Sequence, residues 1–194
     1  ILSLVDIAQS AGILPISLRA WQADFVVGSC VKWIGGGPGA AFMWVNPEVI
    51  ELCEPRNVGW FSHADPFEFD IHHFCYAGDA LRFWGGTPSV YPYVVASHSI
   101  EFINGTGVSS IRAHNIALAD KIIQAVSPRA LVSPAEPELR SGTVIVHFGD
   151  RHEALTSRLQ EWQVHFDRRE KGIRLSPHLC NTSEQIYMLL ECFK

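Results

Sequence analysis

The sequence predicts an α/β chain that closes in a small α+β part. Three observations carry that prediction. Short apolar runs that end in polar residues open the chain, over 2–6 and 24–45. Short apolar runs bounded by turn residues read as buried strands. Two long segments with helical apolar spacing come next, 88–103 and 111–125. Past residue 142 the pattern breaks into short strand-sized and helix-sized pieces. Residues 1–105 are read as one part of the fold and 106–194 as a small C-terminal α+β domain.

Taken in order, LSLVD (2–6) reads as a buried strand ending at Asp6. SAGILPISLRAWQ (10–22) reads as a turn and short helix leading to a second strand. That strand runs toward Lys32, the chain's one lysine before residue 121. Gly35-Gly36-Gly37-Pro38-Gly39 make a turn, and Ala40 to Val45 a third strand. Glycines there permit positive φ and close approach of the backbone to a ligand. NPEVIELCEPR (46–56) is expected to be a short helix stopped near Pro55. From Gly59 a loop rich in aromatics, histidines and acids follows. Thr87 as N-cap and Pro88 at the first helical position would open a long helix. Asn104-Gly105 would stop it, and Pro92 falls just past its first turn. Ile111, Leu118, Ile122 and Ala125 predict a second helix, ended by Pro128.

The closing part starts after a loop at 134–142. TVIVHF (143–148) is a strand, and RHEALTSRLQEW (151–162) a helix with Leu155 and Leu159 on one face. VHFDRRE and GIRLSP make two more strands. SEQIYMLLECFK closes the chain as a helix, with Ser183 as N-cap and Ile186, Leu189 and Leu190 inward.

Composition narrows the function. A chain of 194 residues buries a sizeable core. Its net charge of −5 argues against a nucleic-acid partner, which calls for clustered Lys and Arg. No apolar run is long enough to span a bilayer, and no signal-peptide pattern opens the chain. The five cysteines form no CxxC pair, which favours a reducing, cytoplasmic setting.

Lys32 is the residue whose placement asks for an explanation. Lysine is almost never buried without a partner. A plain surface turn is one reading. A phosphate loop needs its lysine after the glycines and a helix opening there, and neither condition holds. A dinucleotide loop fails for lack of that helix. The remaining reading is a Schiff-base lysine. Pyridoxal phosphate (PLP) is a common partner of such a lysine, and its sites place an acid at the ring nitrogen. Ligands in open parallel sheets sit beyond the carboxyl ends of the strands. Asp6 ends one strand and Lys32 lies just past the next, so both reach one crevice. His63, Asp65, His72 and His73 invite a metal reading, but adjacent histidines point apart and no metal-ligand spacing accompanies them.

VDIAQSAG followed by DFVVGSCVKWIGGGPGAAF resembles the PLP-lysine segment of class V aminotransferase-like enzymes, which have fold type I. VGWFSHADPFEFD and LRFWGGTPSV are most similar to kynureninase, and GIRLSPHLCNTSEQI to the closing segment of the superfamily. The resemblance implies a PLP enzyme with Asp6 at the ring nitrogen and Lys32 as the covalent attachment and base. Gln9 stands where kynureninases have a histidine, and either donates to the ring oxygen or only satisfies a strand end. Ser29 matches a phosphate-binding serine of cysteine desulfurases, and reads otherwise as a turn hydroxyl. Val31 replaces the tyrosine that kynureninase places before its lysine. Trp60 matches an active-site tryptophan, His63 lies close enough in sequence to touch substrate, and Thr87 matches a threonine that reaches the cofactor phosphate of a partner subunit. Arg174 matches the arginine that grips the substrate α-carboxylate; without the motif it would read as a surface ion pair.

These carry-overs imply a homodimer acting on a small amino-acid substrate. The first expectation is kynureninase-type hydrolysis of an aryl-keto amino acid to alanine and an anthranilate-type acid. A class V aminotransferase or β-lyase is the alternative, and an inactive dimerising fragment a third. Members of the family carry a further N-terminal half, so the chain is expected to be the C-terminal portion of a longer enzyme.

Overall fold

The computed structural model describes residues 1–194 and divides them into two compact units, 1–11 with 16–102, and 12–15 with 103–194. No helix is long and apolar enough to cross a membrane.

The first unit is built on a three-stranded sheet, β1 (Leu4–Asp6), β2 (Phe25–Ser29) and β3 (Ala41–Val45), in that order. β1 and β2 are parallel, with Leu4 opposite Phe25 and Asp6 opposite Val27. β3 returns antiparallel to β2. A polar knot fixes the register of the parallel pair. The Ser3 amide and hydroxyl donate to the Asp24 carboxylate at 2.7 and 2.9 Å, and the Asp24 amide donates back to Ser3 Oγ at 3.0 Å. The Ser3 amide, then its hydroxyl, hold the Asp24 carboxyl below its ordinary pKa, because both stabilise the charged form. Ile7, Ala11, Ala23 and Val26 form the buried core, with Phe42 and Trp44 packed on it.

β1 is not the buried strand that its composition predicts. It is a sheet edge, and Leu4 is 64% exposed. α1 (Leu18–Trp21) connects to β2 as expected. α2 (Pro47–Ile50) is capped by Asn46, which accepts from the Glu48 amide at 3.1 Å. It ends well before Pro55, and Arg82 takes the carbonyls at its end: its guanidinium donates to Ile50 O and Cys53 O at 2.5 and 2.9 Å. α3 (Val90–Thr106) runs straight through Asn104 and Gly105. A helical glycine costs only about 1 kcal/mol, which a packed helix absorbs. The break comes at Gly107, whose φ of +84° ends the helical path. Thr87 lies three residues ahead of α3, exposed, and does not cap it.

The second unit comprises α4 (Val108–Ala125), β4 (Val144–Val146), α5 (His152–Glu161), β5 (Asp167–Arg169), β6 (Gly172–Leu175) and α6 (Ser183–Glu191). Its antiparallel sheet has the order β4-β6-β5. Val144, Val146, Ile173 and Leu175 turn one face of the sheet into the core, where they meet Leu118, Ile122, Leu159, Ile186 and Leu189. Ala125 is exposed, off this face. The cap of α6 is Thr182, not Ser183. Thr182 is extended and accepts from the Gln185 amide at 3.3 Å, while Gln185 Oε1 accepts from the Thr182 amide at 3.1 Å. This reciprocal capping box needs Gln at the third helical position, which only Thr182 has.

Two buried arginines fasten the 134–142 loop. Arg112 donates to Ser141 O, Pro137 O and Arg140 O at 2.9, 2.6 and 2.9 Å, and to Asn115 Oδ1 at 2.9 Å. Asn115 in turn donates to Gly142 O and Pro177 O, both at 2.8 Å. Arg140, 1% exposed, pairs with Asp120 at 2.5 Å.

A stacked histidine pair sits at the start of α5. The His147 and His152 rings lie 4.3 Å apart at 16°. Burial, then His147, lowers the His152 pKa from its ordinary 6.5; Glu153 raises it and Arg168 lowers it. The folded chain thus holds this proton more weakly than the unfolded one. The stabilising contribution is complete above pH 6.5 and falls away as the pH drops through the folded value. A proton NMR titration is expected to give His152 a midpoint below 6.5, and His152→Gln to flatten the acid limb of the stability curve.

Candidate active site

The parallel pairing of β1 and β2 puts two chain exits at one sheet edge. Asp6 closes β1 opposite Val27, and the Ile7 amide donates to Val27 O at 2.8 Å. Two residues farther along β2 stands Ser29, and three beyond it Lys32. Asp6 is exposed, and its Oδ1 accepts from the Ala8 amide at 2.8 Å, which holds the carboxylate at the strand end. Ser29 Oγ accepts from the Val31 amide at 3.4 Å. Gln9 is exposed in the turn that follows β1.

Lys32 is exposed on a closed loop rather than held between buried strands. Cys30 fastens both sides of that loop: its amide donates to Ala40 O at 3.0 Å, and its carbonyl accepts from the Gly36 amide at 2.7 Å. The Lys32 carbonyl accepts from the Gly35 amide at 2.9 Å, which turns the lysine outward. Gly36 serves helix packing rather than ligand approach, since a Cβ there would lie 2.9 Å from Ala96 Cα of α3. Cys30 is buried beneath, and burial pushes its thiol pKa up. The edge thus gathers a primary amine, a carboxylate and a hydroxyl.

A second cluster joins two motifs far apart in sequence. Gly59 through Ser62 lies against Trp84-Gly85. Ser62 Oγ donates to Trp84 O at 2.8 Å and accepts from the Gly59 amide at 3.0 Å. A Cβ on Gly59 would fall 1.6 Å from Gly85 O, so only glycine lets the two segments touch. Arg82 anchors the second segment, donating from Nε to Ala77 O at 2.8 Å, with its guanidinium 5.5 Å from the Tyr76 ring centre. Ser62, Arg82 and Gly85 have no chemistry of their own, and spacing offered no signal for them beyond their membership of the two motifs. Gly59→Ala is expected to part the segments and cost about 1–3 kcal/mol, as overpacking does. Urea unfolding followed by tryptophan fluorescence reads this directly.

Trp60 is exposed on that seam and lines a hollow of about 430 Å³ with His63, Phe69, Ile71, His73 and Phe74. His63 Nδ1 accepts from the Asp65 amide at 2.9 Å, and its ring meets Phe74 edge-on at 5.2 Å. Asp70 pairs with His73 Nδ1 at 2.6 Å, and that contact, then the His72 amide, lowers its pKa. Thr87 is exposed in a segment without regular secondary structure. Arg174 belongs to the second unit, on the central strand β6, paired with Asp167 at 3.0 Å. The structure therefore gathers Asp6, Gln9, Ser29 and Lys32 at one edge and Trp60 with His63 at one hollow.

The family model for Aminotransferase class-V matches residues 1–189. The uncharacterized aminotransferase YcbU of Bacillus subtilis is 31% identical over 186 residues, covering 95% of this chain and 49% of the relative. Kynureninase of Pseudomonas fluorescens is 31% identical over 150 residues, covering 74% of this chain and 36% of that enzyme. Among solved structures, the cysteine desulfurase of Thermococcus onnurineus superposes with a TM-score of 0.87 at 19% identity, over 99% of this chain and 51% of that one. The chain spans about half or less of the length of each.

Proposed function

Because this chain belongs to the aminotransferase class-V family, whose kynureninase and cysteine desulfurase members are PLP-dependent, we propose that it serves a PLP enzyme acting on an amino acid, by kynureninase-type hydrolysis of L-kynurenine to anthranilate and alanine. The observation that supports this reading is the parallel pairing of β1 with β2, which brings Asp6 to the edge beyond which Lys32 stands exposed.

The donor set fits the cofactor. Lys32 offers the amine that would hold PLP covalently, Asp6 an anchored carboxylate for the ring nitrogen, and Ser29 a hydroxyl for the phosphate. Gln9 stands on the same edge as a hydrogen-bond donor for the ring oxygen. PLP, when bound, supplies an electron-withdrawing ring that stabilises negative charge at the substrate Cα. Asp6 would hold a proton at the ring nitrogen. Lys32 would hold the cofactor and move the proton at the substrate Cα. Trp60 and His63 take the aryl side, and Arg174 the α-carboxylate, as a fork matched to two oxygens. Thr87, exposed ahead of α3, would reach the cofactor phosphate in a second copy, which makes the active assembly a homodimer.

A second reading, an aminotransferase or β-lyase of the same family, is favoured by Val31. It is 45% exposed beside Lys32 and brings no proton donor to that position. Product analysis after incubation with PLP and L-kynurenine separates the two. Anthranilate with alanine supports hydrolysis; a keto acid formed without anthranilate overturns it in favour of transamination.

A further inference from the structure

Arg174 is held in an arrangement that leaves it short of partners. Its side chain is 27% exposed, on the central strand of the second sheet. Its neighbours Ile173 and Leu175 point into the core, so its side chain lies on the opposite face, as does that of Ile145, with which it is in register. Asp167 stands directly opposite on β5. One carboxylate oxygen, Asp167 Oδ2, serves two guanidiniums: Arg174 Nη2 at 3.0 Å and Arg169 Nη2 at 2.5 Å. The three groups sum to one positive charge. Arg174 Nε is buried with no hydrogen-bond partner. A buried donor without a partner is unfavourable, and a ligand that completes the set recovers that cost.

We propose that Asp167 is a positioning residue for Arg174: it ties down one end of the guanidinium and leaves the remaining donors for the carboxylate of an amino-acid ligand. Arg169 shares the same carboxylate oxygen, so the aspartate does not take up the whole fork of Arg174. The net charge left over favours an anion at this face. This inference rests on the reading of Arg174 as the carboxylate-binding residue.

The test turns on a reversal of sign. If Asp167 contributed only its charge, removing that charge would strengthen anion binding. If it positions Arg174, removal weakens binding although the site becomes more positive. The whole protein, loaded with PLP, is titrated with L-kynurenine by calorimetry, and the arginine Nε–H signals are followed by NMR. Asp167→Asn is expected to raise Kd about tenfold and to broaden the Arg174 Nε–H signal, and Asp167→Glu to restore part of the affinity. Arg174→Leu is expected to remove binding. Unchanged or tighter binding by Asp167→Asn, with binding lost in Arg174→Leu, overturns the positioning role and leaves Arg174 as the ligand residue. Full binding by Arg174→Leu, or none by the unaltered protein, overturns the reading beneath it.

Discussion

Borohydride reduction of the protein after incubation with PLP is expected to leave a phosphopyridoxyl label on Lys32, and Lys32→Ala to abolish it completely. Four lysines compete for the aldehyde: Lys32, Lys121, Lys171 and Lys194. Lys194 is paired with Glu191 at 2.6 Å, and Lys121 lies 5.4 Å from the Tyr187 ring centre. Neither they nor Lys171 has an anchored carboxylate and a strand-end hydroxyl at its own sheet edge. Specificity should therefore follow the β1–β2 edge and not amine exposure alone. Peptide mass spectrometry after digestion gives the distribution. A label spread evenly over the four lysines would mean that the edge does not gather the cofactor. Asp6→Asn should keep the label at position 32 but weaken its retention before reduction, since the ring nitrogen loses its counter-charge.

Arg112→Leu is expected to be the most destabilising substitution in the second unit, at about 3–5 kcal/mol. The leucine fits the volume of the stem but supplies none of the donors. Three backbone carbonyls of the 134–142 loop and the Asn115 side-chain oxygen lose their partner together. Burial, then the charge of nearby Arg140, lowers the Arg112 pKa, yet a guanidinium remains charged at any working pH. A lysine at 112 cannot reach four acceptors in a plane, so Arg112→Lys should recover little of the loss. Chemical denaturation of the two variants beside the unaltered protein measures both claims. A loss below 1 kcal/mol would show that water replaces the guanidinium at the loop.

Much of the frame was legible from the residues. Apolar period placed the strands and α4 to α6, because burial on one face dictates that period in any fold. Local stops were read less well. Asn104-Gly105 looked like the end of α3, but a helix with tertiary contacts carries a glycine, and the left-handed Gly107 makes the turn. Ser183 looked like a cap until Thr182 proved to have Gln185 at the matching position. The candidate site divides in the same way. Asp6 and Lys32 could be assigned to neighbouring strand ends, since that follows from chain order in a parallel pair. The outward turn of Lys32 could not, because it depends on where the Cys30 amide and carbonyl find partners. Arg82, Arg112 and Arg140 gave no warning at all. Arg82 and Arg112 bind backbone carbonyls distant in sequence, and a carbonyl leaves no mark on residue type; Arg140 pairs with Asp120, twenty residues away, at no spacing that marks a pair.

The sheet of the first unit ends in β1, which pairs on one side only, and Leu4 is exposed there. A strand with one free side is a growth point: its outward amides and carbonyls can template a further strand from any chain that offers one. A polypeptide of these 194 residues alone, purified at high concentration, should gain β-sheet order intermolecularly, with the amides of β1 among the first to be protected. A charged side chain in place of Leu4 would blunt that edge without touching the core, and would make the protein easier to keep in solution.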